Sequence, residues 1–362
     1  MKELLKRREI LTISGVLLLL VVVALFDTAF ISPHNLSRTA NSAVILILLA
    51  AGVTPVIITK NIDVSVGATL ALSGILGAKL LVAGTNMWLV ILFIAVLGGV
   101  LGAINGAIVT YGHVPSIVAT LGTMSVYRGV SFLITGGYSI ENIPRSFSRL
   151  GSLSLAGTPA LVIAAILLVI LLAVFLGRTR WGRYIYATGG NEEGARLIGI
   201  RTDLMTVLAF SISGLFAGLA AVVFIAQIGS ISNQAGVGME MSAIAAAVIG
   251  GVALTGGVGT VIGSLFGGLF ITAATSAMQF MGVPGFWSSA VIGAVLLIAL
   301  FADAIVRRRM DQRRIAERYR RDFDRTDQGG PPAVADLGQG SEALNQPTDK
   351  PEMLSASVGG TR

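Results

Sequence analysis

The sequence predicts an all-α polytopic membrane protein, and three observations predict it. Of the 362 residues, 54% are hydrophobic and 12% charged, with a mean hydropathy of +0.82, which is too apolar for a water-soluble domain. Crossing a bilayer takes about 20 apolar residues, and the chain offers roughly ten such runs. The basic residues gather at the ends of those runs and in the last sixty or so positions, which is how cytosolic loops are marked. Forty-five glycines suit helices that pack closely in lipid, where small residues let backbones approach.

In order, the expected spans are 10–31, 41–59, 65–83, 87–111, 115–135, 158–177, 204–227, 240–254, 256–280 and 285–306. The first follows MKELLKRREI and is about twice the length of a signal-peptide apolar core, so it is read as an uncleaved span. Lys6, Arg7 and Arg8 hold the N-terminus in the cytosol. Strict alternation then places the 178–203 loop, Arg307, Arg308, Arg309 and the C-terminus there too. The eighth run is the short one. A re-entrant loop would move the arginine-rich tail outside, so a broken crossing is the expectation.

Two inverted five-helix halves, about 10–135 and 158–306, follow from an internal repeat. Gly98, Gly102 and Gly106 fall four apart in the fourth span, as do Gly259, Gly263 and Gly267 in the ninth, giving a packing face on each helix. An acid-x-Ser step precedes the third and eighth spans, at Asp63-Val64-Ser65 and Glu240-Met241-Ser242. Each step reaches a glycine nine residues after its serine, at Gly74 and Gly251. The transmembrane domain therefore covers 1–309, and the polar, Pro-, Gly-, Asp- and Arg-rich tail at 310–362 reads as cytosolic and largely disordered.

No enzyme site emerges. The chain has no Gly-Lys pair, hence no phosphate-cradling GxxxxGK[ST] loop, and GGVGTVIG misses the dinucleotide fingerprint by one place. There is no cysteine and there are two distant histidines, His34 and His113, which argues against metal and thiolate chemistry. No cofactor is expected. The net charge of +7 is explained by topology, so no nucleic-acid partner is expected; the lipid bilayer is the medium.

Polar groups at membrane depth carry the remaining signal, because an ionised group in hydrocarbon costs several kcal/mol unless it faces water or a partner. Asn61, Asp63, Ser65, Arg128, Asn233, Gln234 and Glu240 form the candidate solute path. For the carboxylates two readings stay open: caps on helix N-termini, or acceptors for solute hydroxyls. Arg128 is open to a structural carboxylate partner, to snorkelling or to solute contact. The stretch QIGSISNQAGVGMEM at 227–241 reads as flexible and external. The longest polar interruption, 182–203, carries Arg183, Arg196 and Arg201 beside Glu192 and Glu193, with Gly189-Gly190 as a breaker before one short amphipathic helix, NEEGARLIGI.

NIDVSVG at 61–67, PSIVATLGT at 115–123, YRG at 127–129, GRYIYATGGNEEGARLIGIRT at 182–202 and EMSAIAAAVIGG at 240–251 together resemble the ribose-type permeases of bacterial ATP-binding-cassette importers. The likeness runs from about residue 10 to 306 and leaves the tail outside. Within the family, TGGYSIENIP at 135–144, AFSISG at 209–214 and AQIGSISNQAGVGMEM at 226–241 are most similar to the autoinducer-2 import permeases, with rhamnose and ribose permeases sharing most blocks. The resemblance implies a multi-pass protein of the bacterial inner membrane that is not itself an enzyme. It implies a cytosolic ATP-binding subunit, met at Gly182, Arg183, Gly189, Glu192, Glu193, Arg196 and Gly199. It further implies a second homologous permease chain and a periplasmic solute-binding protein. An ion-coupled secondary transporter is the rival, with Asp63 and Glu240 as ion sites.

Overall fold

The computed structural model describes residues 12–297, apart from 16, 19, 20, 26, 156, 285, 286, 288, 289, 295 and 296. The chain divides into two units, Met1–Phe301 and Ala302–Arg362. The second unit, with Arg307–Arg309 and the expected disordered tail, lies outside the described residues, as do Lys6–Arg8.

The first unit is helical. Its elements are α1 (Pro33–Ile58), α2 (Val66–Val82), α3 (Met87–Tyr111), α4 (Ser116–Thr135), α5 (Arg145–Ser152), the strand pair β1 (Ser154–Leu155) and β2 (Thr158–Pro159), α6 (Ala160–Arg178), α7 (Arg180–Gly190), α8 (Glu192–Leu197), α9 (Thr202–Ile228), α10 (Met239–Ile249) and α11 (Val261–Phe280). Six of these, α1, α3, α4, α6, α9 and α11, are long and apolar enough to cross a membrane, while α2 and α10 are apolar but shorter.

α1 is the axis of the bundle. It is apolar on every side and is 83% buried along its most apolar window, the pattern of a helix surrounded by others. It begins eight residues earlier than the expected span at 41, because Ser32 accepts from the Asn35 amide and Pro33 supplies the fixed φ of a first helical turn. The expected first span is shorter than 10–31: residues 27–31 form a capped 3-10 turn in which Asp27 accepts from the Ala29 amide.

α3 and α9 cross with backbones in contact. A Cβ on Gly98 would strike the Gly214 carbonyl, one on Gly102 the Phe210 carbonyl, and one on Gly106 would lie 2.7 Å from the Val207 Cα. At such crossings dispersion between close backbones replaces the hydrophobic drive that lipid removes. The second glycine series works differently. Gly263 and Gly267 lie against Gly250 and Ala246 of α10, whereas Gly259 precedes the helix, in a segment where Gly256, Gly257 and Gly259 all have positive φ. The ninth span therefore begins at Val261 rather than 256, and the eighth helix stops at Ile249 rather than 254.

Both short helices are entered by non-helical chain, 61–65 before α2 and 229–238 before α10, the latter largely turns. The second of these is ordered, not flexible as expected: Ile231 and Ala235 are buried, and Ile231 pairs with Ile140 in a two-way backbone bridge. α5 was not expected; a Cβ at its Gly151 would strike the Ala226 carbonyl of α9. Of the expected tenth span, 285–306, the described positions through 297 that have an assignment beyond Pro284 are helical.

Candidate functional site

The 182–203 interruption folds as α7 and α8. Thr179 caps α7 through the Gly182 amide, and Asn191 caps α8 through the Gly194 amide. α7 ends at Gly190 and α8 starts at Glu192, so the chain breaks directly after Gly189-Gly190 as expected; α8 ends at Leu197 because Gly199 has φ +83, so NEEGARLIGI is helical over only part of its length. Arg196 ties the tip together, pairing with Glu192 at 3.0 Å and Asp203 at 2.9 Å and donating to Thr202 at 2.8 Å.

Of the expected ATPase-contact residues, Arg183, Glu192, Glu193, Arg196 and Gly199 are exposed. Gly182 and Gly189 are buried: a Cβ on either would strike backbone, at Leu176 and at Ile58 respectively. Sequence reasoning missed Leu197 and Ile198, which stand 88% and 76% exposed at the tip beside those charges. Two adjacent exposed aliphatics in a charged loop were the available signal.

Gly189 sits at a junction. It meets the carbonyl oxygen of Ile58 at the end of α1, and that same oxygen accepts from the Gly257 amide at 2.8 Å. Tyr186 donates its hydroxyl to the Gly259 carbonyl at 2.7 Å. α7 is thus packed at once on the end of α1 and on the chain between α10 and α11.

The entry to α2 holds a closed polar network. Asp63 Oδ1 accepts from the Ser65 amide at 3.0 Å and the Ser65 hydroxyl at 2.7 Å, and Asp63 Oδ2 accepts from Ser213 of α9 at 2.8 Å. Asn105 of α3 donates to the Ser65 hydroxyl at 2.6 Å, and the Tyr127 hydroxyl of α4 lies 3.2 Å from Asn105 Oδ1 and 3.0 Å from the Leu101 carbonyl. Thr120 accepts from the Val64 amide, and Ser116 from the Ile62 amide, both at 3.2 Å. Asp63 and Ser65 are 1% and 0% exposed, so in this conformation they line no open passage. Their partners Asn105, Tyr127 and Ser213 were missed, although a lone Asn inside an apolar glycine-rich helix is a signal of buried polarity.

A second polar group lies at the entry to α10. Arg128 Nη1 donates to the backbone carbonyls of Asn233 and Ala235 at 2.7 and 2.6 Å, pinning the turn segment before α10 to α4. Glu240 Oε1 accepts from the Gly238 amide at 3.2 Å. Gly67, in the first turn of α2, lies against the Gly236 carbonyl and Glu240 Oε2, so a side chain there would collide with both. The structure thus brings Arg128, Asn233 and Glu240 together, leaves Gln234 exposed beside them, and places Asn61 apart, its amide donating to the Thr59 carbonyl at 3.0 Å.

The family model described as "Branched-chain amino acid transport system / permease component" matches residues 35–300. The chain is 40% identical over 321 residues to the "Autoinducer 2 import system permease protein LsrC" of Shigella flexneri and to that of Escherichia coli K12/DH10B, covering 89% of this chain and 94% of each relative. The same figures hold for the protein of that name from Salmonella typhi, of which 92% is covered. No solved structure matches.

Proposed function

The chain belongs to the family of branched-chain amino acid transport system permease components, and from that premise we propose that it is the multi-pass inner-membrane permease of an ATP-driven importer for autoinducer 2. The solute assignment is carried by 40% identity sustained over 321 residues to relatives named for that import. ATP hydrolysis belongs to a separate cytosolic chain. A second permease chain and a periplasmic binding protein complete the assembly.

In this reading the chain has ten crossings in two inverted halves, both termini cytosolic. Inversion exchanges α1 with α9, α2 with α10 and α3 with α11. The reading is supported by matching pairs: α3 packs on α9 as α11 packs on α1, where a Gly268 Cβ would lie 3.2 Å from Ile47. Likewise α2 packs on α3 as α10 packs on α11. The basic positions Arg178, Arg180 and Arg183 support a cytosolic α7.

The junction of Gly189, Ile58 and Gly257 is the observation that carries the mechanism. An ATPase docked on Leu197, Ile198 and the flanking charges moves α7. Through the junction that motion reaches the end of α1, which leads into α2, and the chain that follows α10, and exchanges the side to which the path opens. The Asp63 network keeps the entry to α2 rigid; the solute path runs past Arg128, Asn233, Gln234 and Glu240.

The deciding experiment is uptake of labelled autoinducer 2, ribose and rhamnose by cells with the gene deleted and restored. Loss confined to autoinducer 2 is expected. Loss confined to a sugar would retain the permease and move its cargo.

A further inference from the structure

Among the described residues, Glu240 Oε2 is the one buried side-chain nitrogen or oxygen with no hydrogen-bond partner. A buried acceptor left unmade loses its hydration with nothing in exchange, and the penalty is larger for a charged group. The nearby cation does not relieve it. Arg128 sits in the electrostatic field of Glu240, but no ion pair of 4 Å or less joins them, and the guanidinium makes its protein hydrogen bonds through Nη1 alone. Elsewhere the fold closes its polar groups: the Asp63 carboxylate, four residues before Gly67, has both oxygens satisfied.

We propose that Glu240 Oε2 and the free N–H groups of Arg128 form the hydroxyl-binding point of the permease for a neutral polyhydroxylated solute, with the Gly67 backbone as its floor. The carboxylate oxygen accepts from one solute hydroxyl, and Arg128 donates to another oxygen of the same molecule. Opposite charges held apart select against both ionic classes. An anionic solute such as a sugar phosphate meets Glu240, a cationic one meets Arg128, and a neutral polyol satisfies both with its own donors and acceptors. Gly67 belongs to the site because any side chain would occupy the place beside Oε2 and push away the Gly236 carbonyl. In the conformation described Oε2 is covered. Access follows when the 233–238 segment parts from α2, which couples solute contact to the motion that opens the path. This inference rests on the proposed function as an importer.

Its test uses right-side-out membrane vesicles that carry the complete transporter and are loaded with ATP, supplied outside with labelled autoinducer 2 and saturating binding protein, and reads solute moved per ATP hydrolysed. Unaltered vesicles that show no ATP-driven uptake would overturn the reading as an importer of autoinducer 2. Given uptake, Glu240→Gln keeps the shape and removes the anionic acceptor. The expected result is a fall of about tenfold or more in solute per ATP, with ATPase stimulation and membrane abundance within about twofold of the unaltered chain. Arg128→Gln is expected to behave alike, and the double variant to fall no further than either single one, because the two act on one solute. Unchanged solute per ATP in Glu240→Gln would overturn the proposal. So would parallel loss of abundance, ATPase activity and uptake in both variants, which marks a structural pair.

Discussion

The Gly257 amide and the Gly189 Cα converge on one atom, the carbonyl oxygen of Ile58: the amide donates to it at 2.8 Å, and a Cβ on Gly189 would overlap it. One backbone oxygen therefore gathers the end of α1, the end of α7 and the loop that follows α10. Gly257 reaches it with φ +70 and Gly256 beside it has φ +79, conformations that favour glycine.

Gly189→Val is expected to uncouple the transporter without removing it from the membrane. The new side chain has only backbone to displace, so α7 must lift from Ile58. Copurification of the ATPase should persist while uptake falls about tenfold or more, as a displaced contact in a force-bearing joint implies. Normal uptake with a normal ATPase would remove the junction from the mechanism.

Leu197→Asp combined with Ile198→Asp is expected to abolish copurification of the ATPase. Both side chains are exposed in the isolated chain, so folding has little to lose, and membrane abundance should hold. Retained copurification would move the docking surface elsewhere.

Gly102→Leu and Gly263→Leu test the two backbone crossings. Each side chain would meet a carbonyl oxygen across the interface, Phe210 for the first and Gly250 for the second. The expected cost is about 1–3 kcal/mol each or more, read as a lowered unfolding midpoint of the purified protein in detergent. Full stability and transport in both would refute close packing at these faces.

Asp63→Ala should lower abundance and uptake in proportion. It strips the acceptor from three donors, the Ser65 amide, the Ser65 hydroxyl and the Ser213 hydroxyl, in a site closed to water. Adding Ser213→Ala should cost less than its single effect, because the two already share a bond. Uptake lost at full abundance would instead put Asp63 on the solute path.

Collapse of the ion gradients with ATP held constant is expected to leave uptake unchanged, and depletion of ATP to stop it. The reverse pattern would favour Asp63 and Glu240 as ion sites.

The spans were legible where composition alone decides them: α3 and α6 begin and end within two residues of expectation, since unbroken apolar runs admit no other element. Boundaries set by single residues were less so. Gly256, Gly257 and Gly259 lie in an apolar run, and only their backbone angles reveal that helix cannot start there. At the site, Asp63 and Glu240 carried similar sequence marks, an acid two residues before a serine. Long-range neighbours separate them: Ser213 lies 150 positions from Asp63 and completes its shell, while nothing does so for Glu240. Such partners leave no local pattern.

α10 spans 11 residues, a rise of about 16 Å, roughly half the hydrocarbon thickness. On its own it is too short to be held across a bilayer during synthesis. Its place is defined by α1, made some two hundred residues earlier, and by Gly263 and Gly267 of α11, made after it. The order of assembly therefore differs from the order of translation. α1 must wait, one flank open, until the ribosome has delivered α11, and a chain truncated before Val261 leaves the membrane with a groove beside α1 that only a chaperone or a protease would meet.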